Sequence, residues 1–120
     1  MNIAFALTTP QIRAGSKDVT RRLGWKNLQP GRVLYAIEKG QGLKKGDKVK
    51  YLRAIQVSSV RLERLDRMIT EPVYGAEECR REGFPQLTSR QFVNMFCRAN
   101  RRCTPKTVIT RIEFTYTTIR

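Results

Sequence analysis

Alternation of apolar with small or polar residues recurs along this chain, and each such stretch predicts a strand. Ile3, Phe5 and Leu7 alternate with Ala4 and Ala6, so one face of a first strand meets a core while its small-residue face can also be covered. Val19 to Leu23 reads as a second strand. Pro30-Gly31 is a turn signal that delivers Val33-Leu34-Tyr35-Ala36-Ile37 as a third strand, apolar enough to be buried on both faces. Val49, Tyr51, Ile55 and Val57 keep the alternation along a longer strand running toward Val60, with Arg53 as the interruption on that face. A strand of that length suits a curved sheet, and bending it calls for a bulge whose position the pattern leaves open. Val108, Ile112, Phe114 and Tyr116 close the chain as a last alternating strand.

Helix signals fall between these strands. Thr8-Thr9-Pro10 offers a start, with proline at an early helical position, and Gly15 a stop. Tyr74 to Arg81 predicts a short helix that ends at Gly83, with Pro85 beyond it and Glu82 at its exit. The next helix has a clear beginning, with Thr88 as N-cap, Gln91 three residues on, and Leu87 placed to staple against Phe92. Phe92, Met95, Phe96 and Ala99 form its apolar face, and Arg98, Arg101 and Arg102 suit the negative end of its dipole. Glu38 to Asp47 carries three glycines and three lysines and predicts a mobile basic flap. Strands making most of the chain, with helices inserted between them, describe an α+β fold on a curved, mostly antiparallel sheet. With 120 residues, no repeat and no linker-like stretch, one domain over residues 1–120 is expected.

Charge changes the picture from fold to partner. The chain has 24 Lys plus Arg against 10 Asp plus Glu, a net charge of +14 distributed along its length. That balance favours polyanions, and nucleic acid is the commonest of these for a small basic domain. No apolar run approaches the roughly 20 residues that cross a bilayer, so no membrane partner is expected and the location expected is cytoplasmic. Cys79, Cys97 and Cys103 lack Cys-x-x-Cys spacing, and the chain has no histidine to complete a zinc site. Reduced cysteines and no metal or other cofactor are therefore expected, with a Cys97 to Cys103 bridge as the less usual alternative in a reducing compartment.

Without imidazole, the candidate chemistry concentrates in Gly15-Ser16-Lys17-Asp18-Val19-Thr20-Arg21-Arg22. On an extended segment Thr20 and Arg22, two apart, share a face; Lys17 joins them only if the turn at Gly15 brings it round. Burial would lower the lysine's pKa and leave free amine to take a proton from the Thr20 hydroxyl. The plainer reading keeps Lys17 and Arg22 solvated on a basic strand, with Glu82 paired to Arg81 or Arg22. For nucleic acid, Lys17, Arg21, Arg22, Trp25, Lys26, Lys44, Lys45 and Lys48 are the candidate contacts, with Lys39 and Lys50 able to extend a phosphate track. Trp25 is equally suited to stacking a base and to anchoring a core. Arg61, Arg64 and Arg67 recur every third residue, but Glu63 and Asp66 interleave and favour a solvated face.

The Gly-x-Lys-x-x-Thr-x-Arg run at Gly15, Lys17, Thr20 and Arg22 resembles the signature of the ASCH family in the PUA-like superfamily. The resemblance continues through Pro30-Gly31 and Glu82-Gly83-Phe84 to Ile112-Glu113-Phe114. It implies a PUA-like β pseudo-barrel with two to three short helices, and the association of related domains with RNA binding, RNA modification and, in some branches, RNA cleavage. A bacterial branch deacylates N4-acetylcytidine with a lysine, a threonine and a glutamate, and the matching positions here are Lys17, Thr20 and Glu82. Two departures bear on the mouth of the site: Arg32 stands where Asp commonly follows the Pro-Gly turn, and the Glu38 to Asp47 loop is longer than in the compact deacylases. Small basic proteins of this kind also occur in phage and prophage genomes. The expected function is thus binding of RNA or a nucleobase-bearing ligand in a basic cleft. The alternatives are an amidohydrolase acting on acylated cytidine-like nucleosides and, behind it, a ribonuclease.

Overall fold

The strand that organises the molecule is Tyr51–Arg64, which the computed structural model places at the centre of a five-stranded sheet. The structure describes residues 1–40, 44 and 46–118. In chain order the elements are β1 (Asn2–Ala4), α1 (Thr9–Ala14), β2 (Val19–Arg22), β3 (Val33–Ile37), β4 (Tyr51–Arg64), α2 (Arg67–Thr70), α3 (Pro72–Arg81), α4 (Ser89–Ala99) and β5 (Val108–Thr117). The sheet order is β1-β3-β4-β5-β2. β1 pairs parallel to β3, and every other pairing is antiparallel.

β4 needs its length because it serves two layers. Its first half pairs with β3 and its stretch from Ala54 to Arg64 with β5, and the register slips between Val57 and Ser59, which locates the expected bulge. Before the bulge, Ile55 and Val57 face a core made with Ile3, Phe5, Ile12, Leu34, Ile112 and Phe114. Beyond it, Leu65 turns to a second core with Met68, Cys79, Phe92, Val93, Phe96 and Ile109, beneath the helices. β5 divides the same way: Ile112 and Phe114 face the first core, while Ile109 faces the second. The short helix α2 carries no capping or periodic signal of its own and owes its place to Met68, which is fully buried.

The α+β expectation holds, with two corrections. The described residues form four helices, α2 being the unexpected one. The sheet also stays open: no ladder joins β1 to β2, its two edges, so the expected barrel is not closed. β1 is shorter than its alternation suggested because Thr8 N–H donates back to Phe5 O at 3.1 Å and turns the chain, leaving Leu7 65% exposed. Tyr51, read as an inward position, is exposed as well. α4 begins as read: Thr88 Oγ1 accepts from Gln91 N–H at 3.1 Å while Gln91 Oε1 accepts from Thr88 N–H at 2.9 Å. No described helix is long and apolar enough to cross a membrane.

Candidate active site and ligand cleft

Two glycine helix stops bring the signature inward. Gly15, at φ 74°, ends α1, and its N–H and that of Ser16 donate back to Ile12 O and Gln11 O. Gly83, at φ 95°, ends α3 likewise, with Gly83 N–H on Arg80 O and Phe84 N–H on Cys79 O. Both are Schellman closures, which need a residue in the left-handed region and so favour glycine. The two stops face one another: Gln11 Nε2 donates to Gly83 O at 3.1 Å, and Asp18 N–H donates to Arg81 O at 3.0 Å. Lys17, between them, is 2% exposed, and its ammonium donates to both Glu82 O and Glu82 Oε1 at 2.7 Å. A cation at this carbonyl also complements the C-terminal end of α3. The turn at Gly15 thus brings Lys17 onto the Glu82 exit, and the pairing of Glu82 with Arg81 or Arg22 is replaced by pairing with Lys17 and Arg21.

Strand alternation then sorts the next three residues. Thr20 and Arg22 lie on one face, where Arg22 Nε donates to Thr20 Oγ1 at 3.0 Å and the guanidinium sits 4.8 Å from the centre of the Phe5 ring. Arg21 points the other way, into a set of buried carboxylates: Glu78 at 2.6 Å, Glu63 at 3.1 Å and Glu82 at 3.1 Å. Arg111, its register partner on β5, doubles the grip on Glu78 at 2.5 and 3.1 Å. Tyr74 hydroxyl lies 2.9 Å from Glu63 and 3.2 Å from Glu78. Arg21 is thus not the exposed phosphate contact read from the sequence, since its side chain is 0% exposed and held by three carboxylates.

The charges divide accordingly. Lys17, Arg21 and Arg111 match Glu63, Glu78 and Glu82 one for one. Arg22, among the described residues, is in no ion pair, and burial pulls its guanidinium down to about 10, with Glu82 opposing, so it stays charged at neutral pH. Burial also lowers the Lys17 ammonium from its ordinary value, against the attraction of Glu82 and with help from Arg22 and Arg21. For Arg21, burial is outweighed by Glu82, Glu78 and Glu63, which raise it further.

Lys17, Thr20, Arg22 and Glu82 form the polar end of a cleft of about 740 Å³. Residues from both sheet edges line it, so it lies where the barrel fails to close. Its remaining walls are Phe5, Leu7, Trp25, Phe84, Phe92, Met95 and Phe96, with Lys39 at hand. Trp25 answers both readings at once: half-buried against the first core, at φ 59°, it also faces the cleft. Lys26, Lys44 and Lys48 are exposed and outside the cleft, and Lys45 lies outside the described residues. Lys39, Lys48 and Lys50 line a separate hollow with Glu38 and Asp47. Reading the sequence missed Glu63, Tyr74, Glu78 and Arg111. The available signal was an acidic residue on the inward face of each of β4 and α3, where an apolar one would otherwise sit.

The proposed proton transfer from Thr20 to Lys17 has no hydrogen bond of its own. The lysine's contacts go to Glu82, and the Thr20 oxygen accepts from Arg22. That acceptance leaves the threonine proton free to donate into the cleft.

No protein-family model matches the chain, and no curated protein matches it in sequence. Solved structures do match. The ASCH domain from Lactobacillus crispatus JV V101 shares 13% identity at a TM-score of 0.57, over 96% of this chain and 79% of that one. The hypothetical protein PH0355 shares 17% identity at a TM-score of 0.65, over 97% of both chains. EF3133 from Enterococcus faecalis V583, assigned to the family model DUF984, shares 15% identity at a TM-score of 0.54, over 91% of this chain and 66% of that one. The chain has the fold of an ASCH domain, reached at sequence identities where only architecture is shared.

Proposed function

We propose that the cleft binds a nucleobase-bearing anion, an RNA nucleotide or a phosphorylated nucleoside, with its base on the aromatic wall and its charge on Arg22. The observation that carries this reading is the unequal charge of the two faces of β2. The buried cluster is self-neutralised, whereas Arg22 presents a cation with no carboxylate partner among the described residues, beside Phe5 and Trp25. A guanidinium with open N–H groups takes phosphate oxygens in a fork, and aromatic faces take bases irrespective of sequence. The net charge of +14 adds a long-range attraction for RNA.

Trp25 is the chain's single tryptophan and lines the cleft, so its fluorescence reports occupancy directly. Titration with cytidine monophosphate, cytidine and a short single-stranded RNA should give binding in which the phosphorylated ligands exceed the nucleoside roughly tenfold, the scale of one charge-assisted hydrogen bond. Arg22→Met should erase that preference. Equal affinity for nucleoside and nucleotide would overturn the assignment of Arg22.

The amidohydrolase reading has one specific observation in its favour: a buried Lys17 with a lowered pKa, fixed by Glu82, lines the same cleft as Thr20, whose hydroxyl oxygen accepts from Arg22. In that reaction the Thr20 oxygen attacks the acyl carbonyl as Lys17 in its free-amine form takes the proton, and the protonated lysine returns it to the leaving amine. Water then releases the acyl group from Thr20. Incubation with N4-acetylcytidine and chromatography of the products tests it: cytidine formed by the wild type and abolished in both Lys17→Met and Thr20→Ala supports hydrolysis. Turnover persisting in Thr20→Ala excludes the threonine as nucleophile.

A further inference from the structure

Cys97 and Cys103 stand apart from both the cleft chemistry and the buried ion cluster. Cys97 lies in the last turns of α4, and Cys103 in the turn that follows, which is closed by Cys103 N–H on Asn100 O at 3.1 Å and passes through Arg102 at φ 66°. That turn folds the chain back so that the two sulfurs lie 3.6 Å apart with Cys97 Sγ as donor, both residues half-buried against the second core. Arg98, Arg101 and Arg102 beside them are exposed. Cys79, the remaining thiol, is 1% exposed, sits in the core beside Phe92, and burial raises its pKa.

We propose that Cys97 and Cys103 are a modification site: a thiol pair that closes reversibly to a disulfide by exchange with a small disulfide of the glutathione class. The arginines around the pair suit the carboxylates such a molecule carries. Burial and the neighbouring thiol push Cys97 up to about 11, and Cys103 follows the exposed Arg101 and Arg102, so Cys103 is the thiol that meets the disulfide first. Its thiolate displaces one glutathione thiolate and forms a mixed disulfide. Cys97 then attacks the Cys103 sulfur, loses its proton to water and expels the second glutathione thiolate, so two protein thiols are oxidised as one disulfide is reduced to two thiols. The sulfurs need to close from 3.6 Å to about 2.05 Å, a movement confined to one turn. Because Phe96 and Ala99 of α4 and Asn100 just after it line the cleft, the bridge anchors the end of one cleft wall.

The full chain is incubated with oxidised glutathione at neutral pH, its remaining thiols are alkylated, and the product is weighed and digested with trypsin. Closure predicts a loss of about 2 Da before alkylation, with Cys79 as the thiol that remains. Cleavage at Arg98, Arg101 and Arg102 then leaves residues 91–98 joined to residues 103–106 through the bridge alone. Amide exchange across residues 98–104 should slow about tenfold on oxidation and recover with reductant. Cys97→Ser should instead hold a persistent mixed disulfide on Cys103, and its reduced melting temperature, within a few degrees of wild type, shows that the fold is intact. A stable mixed disulfide on the wild-type chain, bridges between two chains, or thiols that stay reduced while glutathione is in excess would each overturn the proposal.

Discussion

Arg21 and Arg22 are adjacent in the sequence and alike in chemistry, yet β2 gives them opposite environments. Arg21 is held by Glu63, Glu78 and Glu82 on the face toward the helices, whereas Arg22 faces the cleft with a threonine and an aromatic ring as its neighbours. The difference shows how a strand separates an internal counter-ion from a ligand-directed cation. The Arg21 charge is matched by carboxylates, although its Nε has no partner, whereas the Arg22 charge lies beside an open cleft with no carboxylate partner among the described residues. Glu82 joins the two regions, since one carboxylate oxygen bonds Lys17 in the cleft and the other bonds Arg21 behind it.

The sharpest way to break the comparison is to remove each arginine in turn. Arg21→Met leaves Glu63, Glu78 and Glu82 short of a counter-charge and should cost about 3–5 kcal/mol in urea unfolding. Arg22→Met should cost below about 1 kcal/mol, because its loss also removes a partly desolvated charge with no carboxylate partner among the described residues, while lowering nucleotide affinity roughly ten- to hundredfold by Trp25 titration. Equal stability losses in the two variants would erase the distinction.

Acid should act on the matched side first. Burial pushes Glu78 up, but Arg111 and Arg21 outweigh it and hold the carboxyl at about 2 against an ordinary value of 4.5. A depressed carboxyl stabilises the fold above the unfolded value, so this contribution is complete above pH 4.5 and is lost as the pH falls toward about 2. In Glu78→Gln, unfolding free energy measured over that range should lose the corresponding part of its slope.

The cleft side should show a slope of the same sign at alkaline pH but for the opposite reason, since there the charged form is the costly one. Lys17 titrates below its ordinary 10.5 in the fold, so its charged form costs stability, and the cost is relieved as the pH rises from the folded value toward 10.5. The stability difference between wild type and Lys17→Met should therefore shift in favour of the wild type across that range, as read from denaturant midpoints at each pH. A distant reference completes the series: Thr88→Ala removes the α4 capping box and should lower stability by about 1 kcal/mol without altering either pH dependence.

What was legible before the structure was what neighbouring residues decide among themselves. The Thr88 and Gln91 cap, the stops at Gly15 and Gly83, and the shared face of Thr20 and Arg22 all follow from local hydrogen bonding, backbone preference and the two-residue period of a strand. The sequence by itself thus determined where the main strands and helices lie and which short segment holds the polar groups of the cleft. It left open the bulge after Val57, the existence of α2 and the openness of the sheet, because each depends on which distant surface the chain packs against. The fate of Arg21 belongs there too. Its partners Glu63, Glu78 and Glu82 lie 42 to 61 residues away, and only the tertiary fold, by excluding water from all of them together, makes their pairing obligatory.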